Sequence, residues 1–184
     1  MPRISRALLS AIALGAFGVV HAAGFTLTSP TVKPNAKIGD AQVYNGFGCA
    51  GKNISPALKW SGAPKDTKSY AVTVYDPDAP TGSGWWHWVV VNIPADTTEL
   101  PEGAGAEGGK LPSGAMQVKT DFGKPGYGGP CPPQGDKPHR YIFTVYALKT
   151  ARIDIPADGT AALAGFMINA NKLRQATFMG RYGR

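Results

Sequence analysis

The sequence YAVTVYDPDAPTGSGWWHWVVVNI occupies residues 70–93 and predicts two central strands joined by a polar connection. Tyr70–Tyr75 and Trp88–Ile93 are short apolar runs rich in β-branched and aromatic residues, which is typical of buried strands. Between them lie two aspartates, two prolines, two further tryptophans and a histidine. A core does not need this mixture, because unpaired charges are costly to bury and prolines remove ladder hydrogen bonds. We therefore expect the connection to form the wall of a polar site.

A second unusual segment, YGGPCPPQGDKPHRY, covers residues 127–141 and leads into a third predicted central strand, Tyr141–Leu148. Asp76 follows the first central strand, whereas His87 and His139 precede the other two. In an antiparallel sheet the end of one strand lies beside the start of its neighbour. If the first strand is antiparallel to both others, these three side chains meet at one end of the sheet.

The rest of the chain is typical of an all-β domain with many turns, because 24 glycines and 16 prolines separate its short apolar runs. Further strands are predicted at Phe25–Thr28, Gln42–Phe47, Leu58–Trp60 and Met116–Thr120. One helix is predicted from Thr160 to about Ala176, with Asp158 or Thr160 as its cap. Its apolar stripe of Leu163, Phe166, Met167, Ala170 and Leu173 or Arg174 is expected to pack on the sheet, with Lys172 and Arg174 at its C-terminal end.

The N-terminus resembles a signal peptide of residues 1–22, which leaves one domain of residues 23–184. Arg3 and Arg6 precede a short apolar run, and Val20-His21-Ala22 ends in small residues suited to cleavage. A membrane anchor is the alternative, but the apolar run falls short of the about 20 residues that span a bilayer. We therefore expect a periplasmic or secreted protein with no transmembrane segment in its mature chain.

The net charge and the two cysteines indicate which partners and which covalent bonds to expect. The formal net charge is +7, and the basic residues are scattered rather than clustered, which argues against a nucleic-acid partner. The only two cysteines, Cys49 and Cys131, each lie in a glycine-rich turn, and an exported chain meets an oxidising compartment. We expect a disulfide between them; two buried free thiols are the alternative.

The predicted cluster suits a small anionic ligand. Its imidazoles donate hydrogen bonds to phosphate or carboxylate oxygens, Asp76 orients one of them, and the glycine-rich loop Tyr127–Pro133 offers backbone N–H groups. The tryptophans Trp85, Trp86 and Trp88 are expected to exclude water from this site, although at least one of the three is expected to be an ordinary core residue. Binding should depend on both histidines and strengthen as the pH falls through about 6.5, the ordinary histidine pKa.

Two other chemistries use the same residue types. Two histidines and one aspartate could ligate a metal ion, although their separations do not form a local ligand motif. They could also perform acid–base hydrolysis of a phosphoester or carboxyester. No Gly-x-Ser-x-Gly motif is present. We favour binding without a cofactor, metal or catalytic residue.

The segments Asp76-Pro77-Asp78-Ala79-Pro80, residues 85–92 and Gly129-Pro130 through His139-Arg140-Tyr141 resemble the phosphatidylethanolamine-binding protein (PEBP) family. The chain is most similar to its bacterial, Raf-kinase-inhibitor-like branch (the YbhB/YbcL type), which residues 53–60 also fit. The resemblance implies a β-sandwich of two antiparallel sheets with Greek-key connections, plus one C-terminal helix. It also points to a cis bond between Ala79 and Pro80.

The resemblance further implies a pocket at one end of the sandwich that binds phosphate-like, carboxylate or phospholipid head-group anions. The residues that it assigns to this pocket are Asp76, Trp85, His87, His139 and Tyr141, with the backbone of Gly129 and Pro130. The chain lacks the long extra C-terminal helix of animal members, so a more open pocket is expected. A protein partner, as in a kinase-inhibitor-like regulatory module, is a third hypothesis for its function.

Overall fold

The computed structural model describes residues 24–184, which form a sandwich of antiparallel sheets. The predicted signal peptide, residues 1–22, lies outside the described residues. The strands in chain order are β1 (Thr26–Thr28), β2 (Asn45–Gly46), β3 (Cys49–Ala50), β4 (Leu58–Ser61), β5 (Ser69–Asp76), β6 (Trp85–Pro94), β7 (Glu99–Leu100), β8 (Met116–Gln117), β9 (His139–Leu148) and β10 (Lys172–Tyr182). The helix α1 (Ala161–Asn171) lies between β9 and β10.

Five strands form the larger sheet, in the order β10-β9-β5-β6-β8, and three form the smaller sheet, in the order β1-β4-β7. All their pairings are antiparallel. The chain crosses between the sheets from β4 to β5, from β6 to β7 and from β7 to β8. The predicted two-sheet sandwich is confirmed, and so is the assumption that β5 is antiparallel to both β6 and β9.

The main core fills the space between the sheets. Val72, Val74, Trp88, Phe143 and Val145 are buried there, each with at most 1% of its surface exposed. Alternate residues of each strand reach this core because successive side chains point to opposite faces. Burial of these side chains is the main stabilising contribution to the fold.

Helix α1 covers part of the outer face of the larger sheet, but not with the stripe that the sequence suggested. Of the two caps that the sequence allowed, Thr160 is the one used, since its Oγ1 accepts a hydrogen bond from the Leu163 amide. The buried face consists of Ala161, Ala164 and Ile168, whereas Leu163 and Phe166 are exposed. The small residues let the helix axis approach the sheet closely.

The predicted helix also ends too late, because residues 172–182 form strand β10. This strand pairs with β9 along nearly its whole length, and Ala176 and Phe178 turn inwards to the core. Local helix propensity in this segment is outweighed by pairing and burial, which propensity does not register. The helix is therefore not the last element of the chain.

The predicted disulfide is present between Cys49 of β3 and Cys131, with their Cα atoms 6.0 Å apart. It joins the small β2–β3 hairpin to the loop that follows Pro130. No helix among residues 24–184 is both long and apolar enough to cross a membrane.

Candidate functional site

The polar residues of the three central strands meet at one end of the larger sheet. On β6, Trp85 and His87 are two residues apart and share a face; on β9, His139 and Tyr141 do the same. Asp76 is the last residue of β5, the strand between β6 and β9, and it pairs with Trp85 of β6. The sequence-based expectation that Asp76 meets both histidines is therefore met by the topology.

An irregularity in β6 sends the three tryptophans to different environments. Tyr75 pairs with Trp86 and Val74 with Trp88, so His87 is an extra residue in a β-bulge. The bulge lets His87 face the site while Trp88 enters the core. Trp86 packs on the outer face instead, with its ring against Tyr75. Only Trp85 lines the site. Trp88 is a core residue, as expected for at least one of the three indoles, whereas the expectation that Trp86 helps to exclude water from the site was wrong.

These residues surround a cavity of about 170 Å³ that opens at the end of the sandwich. Its polar lining comes from the central strands and its apolar lining from three loops. The lining residues are Phe47, Asp76, Ala79, Pro80, Thr81, Trp85, His87, Phe122, Cys131, Pro132, Pro133, His139 and Tyr141. None of them is a lysine or an arginine, so electrostatic attraction of an anion would have to come from the histidines.

His139 lies between two carboxylates. Its Nδ1 is 2.8 Å from Oδ2 of Asp76, and its Nε2 is 3.3 Å from Oδ2 of Asp136. A carboxylate oxygen accepts, so each ring nitrogen would donate when His139 is doubly protonated. The second oxygen of Asp76 accepts the Asp78 amide at 2.8 Å. Asp76 thus closes its own turn and also orients His139.

His87 is held as a neutral imidazole with a defined tautomer. Its Nδ1 lies 2.6 Å from the carbonyl oxygen of Gly128, which only accepts, so Nδ1 carries the proton. Burial lowers the pKa of His87 to about 4, although the Gly128 carbonyl and the Asp76 carboxylate oppose this effect. The structure gives the other nitrogen, Nε2, no hydrogen-bond partner within residues 24–184. Nε2 is therefore an acceptor at neutral pH.

Tyr141 contributes an unpaired donor. The residue is buried, and its hydroxyl has no hydrogen-bond partner in the described part of the chain, residues 24–184. Burial, with the nearby Asp76 carboxylate, raises the pKa of Tyr141, so the hydroxyl keeps its proton. Its ring contacts that of His87 edge-on, at 5.1 Å between centroids. Two neighbouring lining residues, Tyr141 and His87, thus carry one donor and one acceptor that have no partner within residues 24–184.

The DPDAP turn is fixed by a second carboxylate that faces away from the cavity. Asp78 accepts hydrogen bonds from the backbone amide and the guanidinium of Arg140, at 2.7–3.2 Å. The guanidinium lowers the pKa of Asp78 to about 2. No peptide bond among residues 24–184 is cis, so the expected cis bond between Ala79 and Pro80 was wrong. The clamp to Arg140 holds this turn with a trans proline.

Gly129 and Pro130 do not line the cavity, and the expected nest of free N–H groups was wrong. The Gly129 amide donates to the side chain of Asn53, and the Pro130 carbonyl accepts from the Tyr44 amide. A Cβ atom on Gly129 would lie 2.0 Å from the Gln42 carbonyl oxygen, so this position requires glycine. The two residues hold the loop whose next members, Cys131 to Pro133, do line the cavity.

Sequence reasoning missed the aromatic rim. Phe47 and Phe122 both lie outside the predicted convergence of strand ends, because separate loops bring them to the cavity mouth. The position of Phe47 could have been inferred from the expected disulfide, because this bond joins the turn that contains Phe47 to the Cys131 loop. Tyr141 was found only through the resemblance, although its spacing of two from His139 places both on one strand face.

The site has no obvious place for a metal ion. Among residues 24–184, no group of three or more His, Cys, Asp or Glu side chains is arranged to hold one. Besides Tyr141, the lining contains one residue with a hydroxyl group, Thr81, and one cysteine, Cys131. The Thr81 hydroxyl donates to the Gly84 carbonyl, and Cys131 is in the disulfide. Neither of these two residues therefore offers a free hydroxyl or thiol to the cavity.

Comparison with known proteins agrees with this architecture. The model of the phosphatidylethanolamine-binding protein family matches residues 28–183. The chain belongs to this family. Among its relatives, the UPF0098 protein YbcL of Escherichia coli strain K12 is 58% identical over 157 residues, which cover 85% of this chain and 86% of YbcL. YbhB of the same organism is 49% identical over 156 residues, which cover 85% of this chain and 98% of YbhB.

Solved structures of PEBP-family proteins share the fold. The crystal structure of E. coli YbcL superposes with a TM-score of 0.86 at 55% identity, covering 88% of this chain and 99% of that one. A PEBP homologue from Chlamydia trachomatis gives a TM-score of 0.73 at 31% identity, covering 88% and 98%. This PEBP-family chain is therefore similar to both over nearly all the described residues.

Proposed function

We propose that this PEBP-family protein is exported and binds a small anionic group, such as a phosphate or a phospholipid head group, in the cavity at the end of the sandwich. The observation that carries the proposal is the buried hydroxyl of Tyr141, a residue that lines the cavity beside His87; within residues 24–184 this hydroxyl has no hydrogen-bond partner. A buried unpaired hydroxyl costs free energy, so a ligand oxygen that accepts its proton recovers that cost.

The neutral state of His87 constrains the bound group. A singly protonated phosphate monoester would accept from Tyr141 with one oxygen and donate to Nε2 of His87 with another. A sulfate or phosphodiester has no proton to give, so His87 would have to become protonated first. In the first case the extra proton is on the phosphate, and in the second it is on His87. Each complex therefore holds one proton more than a fully ionised ligand and a neutral imidazole hold together. Binding is therefore linked to proton uptake.

The direction of the pH dependence follows from this linkage. A bound anion favours the imidazolium and raises the pKa of His87 above about 4, its value in the unliganded protein. Affinity for sulfate, whose charge is constant, should therefore increase as the pH falls towards 4. This window lies below the pH of about 6.5 that the sequence suggested, because burial was not visible there.

Calorimetric titration of the purified protein with sodium sulfate tests the proposal. Tyr141→Phe removes only the hydroxyl and should weaken sulfate binding by about 1–1.5 kcal/mol, while leaving the unliganded fold at least as stable. Substitution of the histidines, as His87→Gln and His139→Ala, should also weaken it. Tyr127→Phe is the matched control: its hydroxyl is buried but bonded to the Gln42 carbonyl, and it does not line the cavity.

The outcomes separate binding from the other hypotheses. Unchanged sulfate affinity in both Tyr141→Phe and His87→Gln would mean that the cavity is not the anion site. Release of nitrophenol from p-nitrophenyl phosphate, lost in His87→Gln, would favour hydrolysis instead. We propose binding without turnover because the hydroxyl of Thr81 is bonded to a backbone carbonyl and Cys131 is in the disulfide, so neither residue is available as a nucleophile.

Export is the remaining part of the proposal. It rests on the basic and apolar start of the sequence and on the disulfide, which persists in oxidising compartments. N-terminal sequencing of protein recovered from the periplasm or medium should begin at Ala23. Recovery of the intact Met1 form in the membrane fraction would contradict it.

A further inference from the structure

The mouth of the cavity carries an aromatic ring that the polar floor does not explain. Phe47 is 67% exposed, yet it lines the cavity wall. It lies between β2 and β3 with a backbone φ of 52°, a conformation in which a residue other than glycine is uncommon. Both the exposure and the backbone conformation cost free energy in the unliganded protein.

Several contacts fix the backbone of Phe47 while its ring stays exposed. The disulfide at Cys49 joins the hairpin to the Cys131 loop. The Arg184 guanidinium donates to the carbonyl oxygens of Phe47 and Gly48 at 3.1 and 3.0 Å, and to that of Pro132 at 2.8 Å. The two loops on this side of the mouth are therefore held together, and these contacts fix the position from which the ring extends.

Aromatic contacts connect Phe47 with the polar floor. Its ring lies nearly parallel to that of Phe122, with centroids 6.0 Å apart and an interplanar angle of 13°. Phe122 in turn contacts the rings of Trp85 and His87 edge-on, at 5.5 and 5.4 Å. An apolar surface thus runs without interruption from His87 at the floor to Phe47 at the mouth.

We propose that Phe47 forms the outer part of a second subsite, which seats an apolar aryl or alkyl substituent carried by the anionic group bound at the floor. The ligand class is then a substituted phosphate or a related amphiphilic anion, not a free inorganic ion. This inference rests on the proposed function, because the floor must hold the anionic head. The surface is continuous with that floor, and an apolar substituent recovers part of the cost of exposing the ring.

Titration calorimetry with phenyl phosphate, n-hexyl phosphate and inorganic phosphate tests the proposal at pH 5, where all three are mainly monoanions because the second pKa of a phosphate monoester is about 6. At least one substituted phosphate should bind about three- to tenfold more tightly than inorganic phosphate. The phenyl and hexyl compounds distinguish an aromatic from an aliphatic substituent.

Phe47→Gly is the decisive variant. Glycine adopts a positive φ readily, so the hairpin should keep its conformation while the ring is removed. The affinity advantage of the substituted phosphates should fall to within about twofold of inorganic phosphate. Phe166→Ala is the matched control, because Phe166 is 73% exposed on α1 and does not line the cavity. It should leave the advantage unchanged.

Each result counts for or against the subsite. Equal affinity for all three compounds in the wild-type protein, or an advantage that survives Phe47→Gly, would overturn it. If inorganic phosphate binds but a substituent brings no gain, only the subsite fails. If none of the three binds, the proposed function fails and the subsite fails with it.

Discussion

The Nδ1 atom of His139 lies 2.8 Å from Oδ2 of Asp76, and the two side chains are only 5% and 4% exposed. The two residues are 63 positions apart in the chain, but they lie at the adjacent ends of β5 and β9. Because Asp76 also accepts the Asp78 amide, one buried carboxylate joins the DPDAP turn, the sheet and the cavity floor.

Removing this carboxylate should destabilise the protein strongly. Asp76→Ala leaves the buried Nδ1 of His139 and the part-buried Asp78 amide without a partner, and we expect a loss of about 3 kcal/mol in the free energy of unfolding. Asp136→Ala is the control, since its contact with His139 is longer, at 3.3 Å, and its side chain is 41% exposed. That change should cost less than about 1 kcal/mol. Equal losses in urea denaturation would show that the Asp76 contact has no special role.

Burial of neutral His87 makes stability depend on pH. The pKa is about 6.5 in an unfolded chain and about 4 in the folded protein, so the unfolded state takes up the proton first as the pH falls. The contribution of His87 is therefore complete above pH 6.5 and is lost progressively between pH 6.5 and 4, by about 3 kcal/mol.

Urea denaturation at several pH values checks this effect. The difference in stability between wild type and His87→Gln should shrink as the pH falls through this window. Tyr127→Phe, which removes a group that does not titrate there, should differ from wild type by a constant amount. A pH-independent difference for His87→Gln would mean that His87 is not buried as a neutral ring.

The central strands could be predicted because their signals are local and agree with their tertiary setting. Tyr70–Tyr75 and Trp88–Ile93 lie within β5 and β6, whose apolar residues are buried on both faces. The end of each strand then determined where Asp76 and the histidines would meet. This part of the site follows from strand direction alone, without knowledge of the loops.

The features that sequence reasoning missed depend on contacts between distant segments. Strand β10 is stabilised by its pairing with β9. The residues of this segment also have helix propensity, and the sequence alone does not show that the pairing outweighs it. The bulge that separates His87 from Trp86 leaves no local pattern. Phe47 and Phe122 meet although they are 75 positions apart in the chain (122 − 47 = 75), and neither of their loops specifies this contact by itself.

The disulfide should contribute measurably to stability. Cys49 and Cys131 are 82 residues apart, and closing a loop of this size restricts the unfolded chain by about 2–4 kcal/mol. We expect the reductant dithiothreitol to lower the urea midpoint of the wild-type protein. The double variant Cys49→Ser/Cys131→Ser should be less stable and insensitive to reductant. Two thiols that react with an alkylating agent in native, non-reduced protein would contradict the bridge.

The orientation of α1 is tested by two consecutive residues, of which one is exposed and the other is buried. Ala164 is fully buried against the larger sheet, so Ala164→Leu must displace the helix or strain its neighbours and should cost about 1–3 kcal/mol. Leu163 is 37% exposed, and Leu163→Ala removes few contacts while introducing the best helix former. The free energy of unfolding of Leu163→Ala should differ from that of the wild type by no more than about 0.5 kcal/mol. The stripe suggested by the sequence requires the reverse order, with Leu163→Ala the more damaging. Thermal unfolding of both variants therefore distinguishes the two orientations.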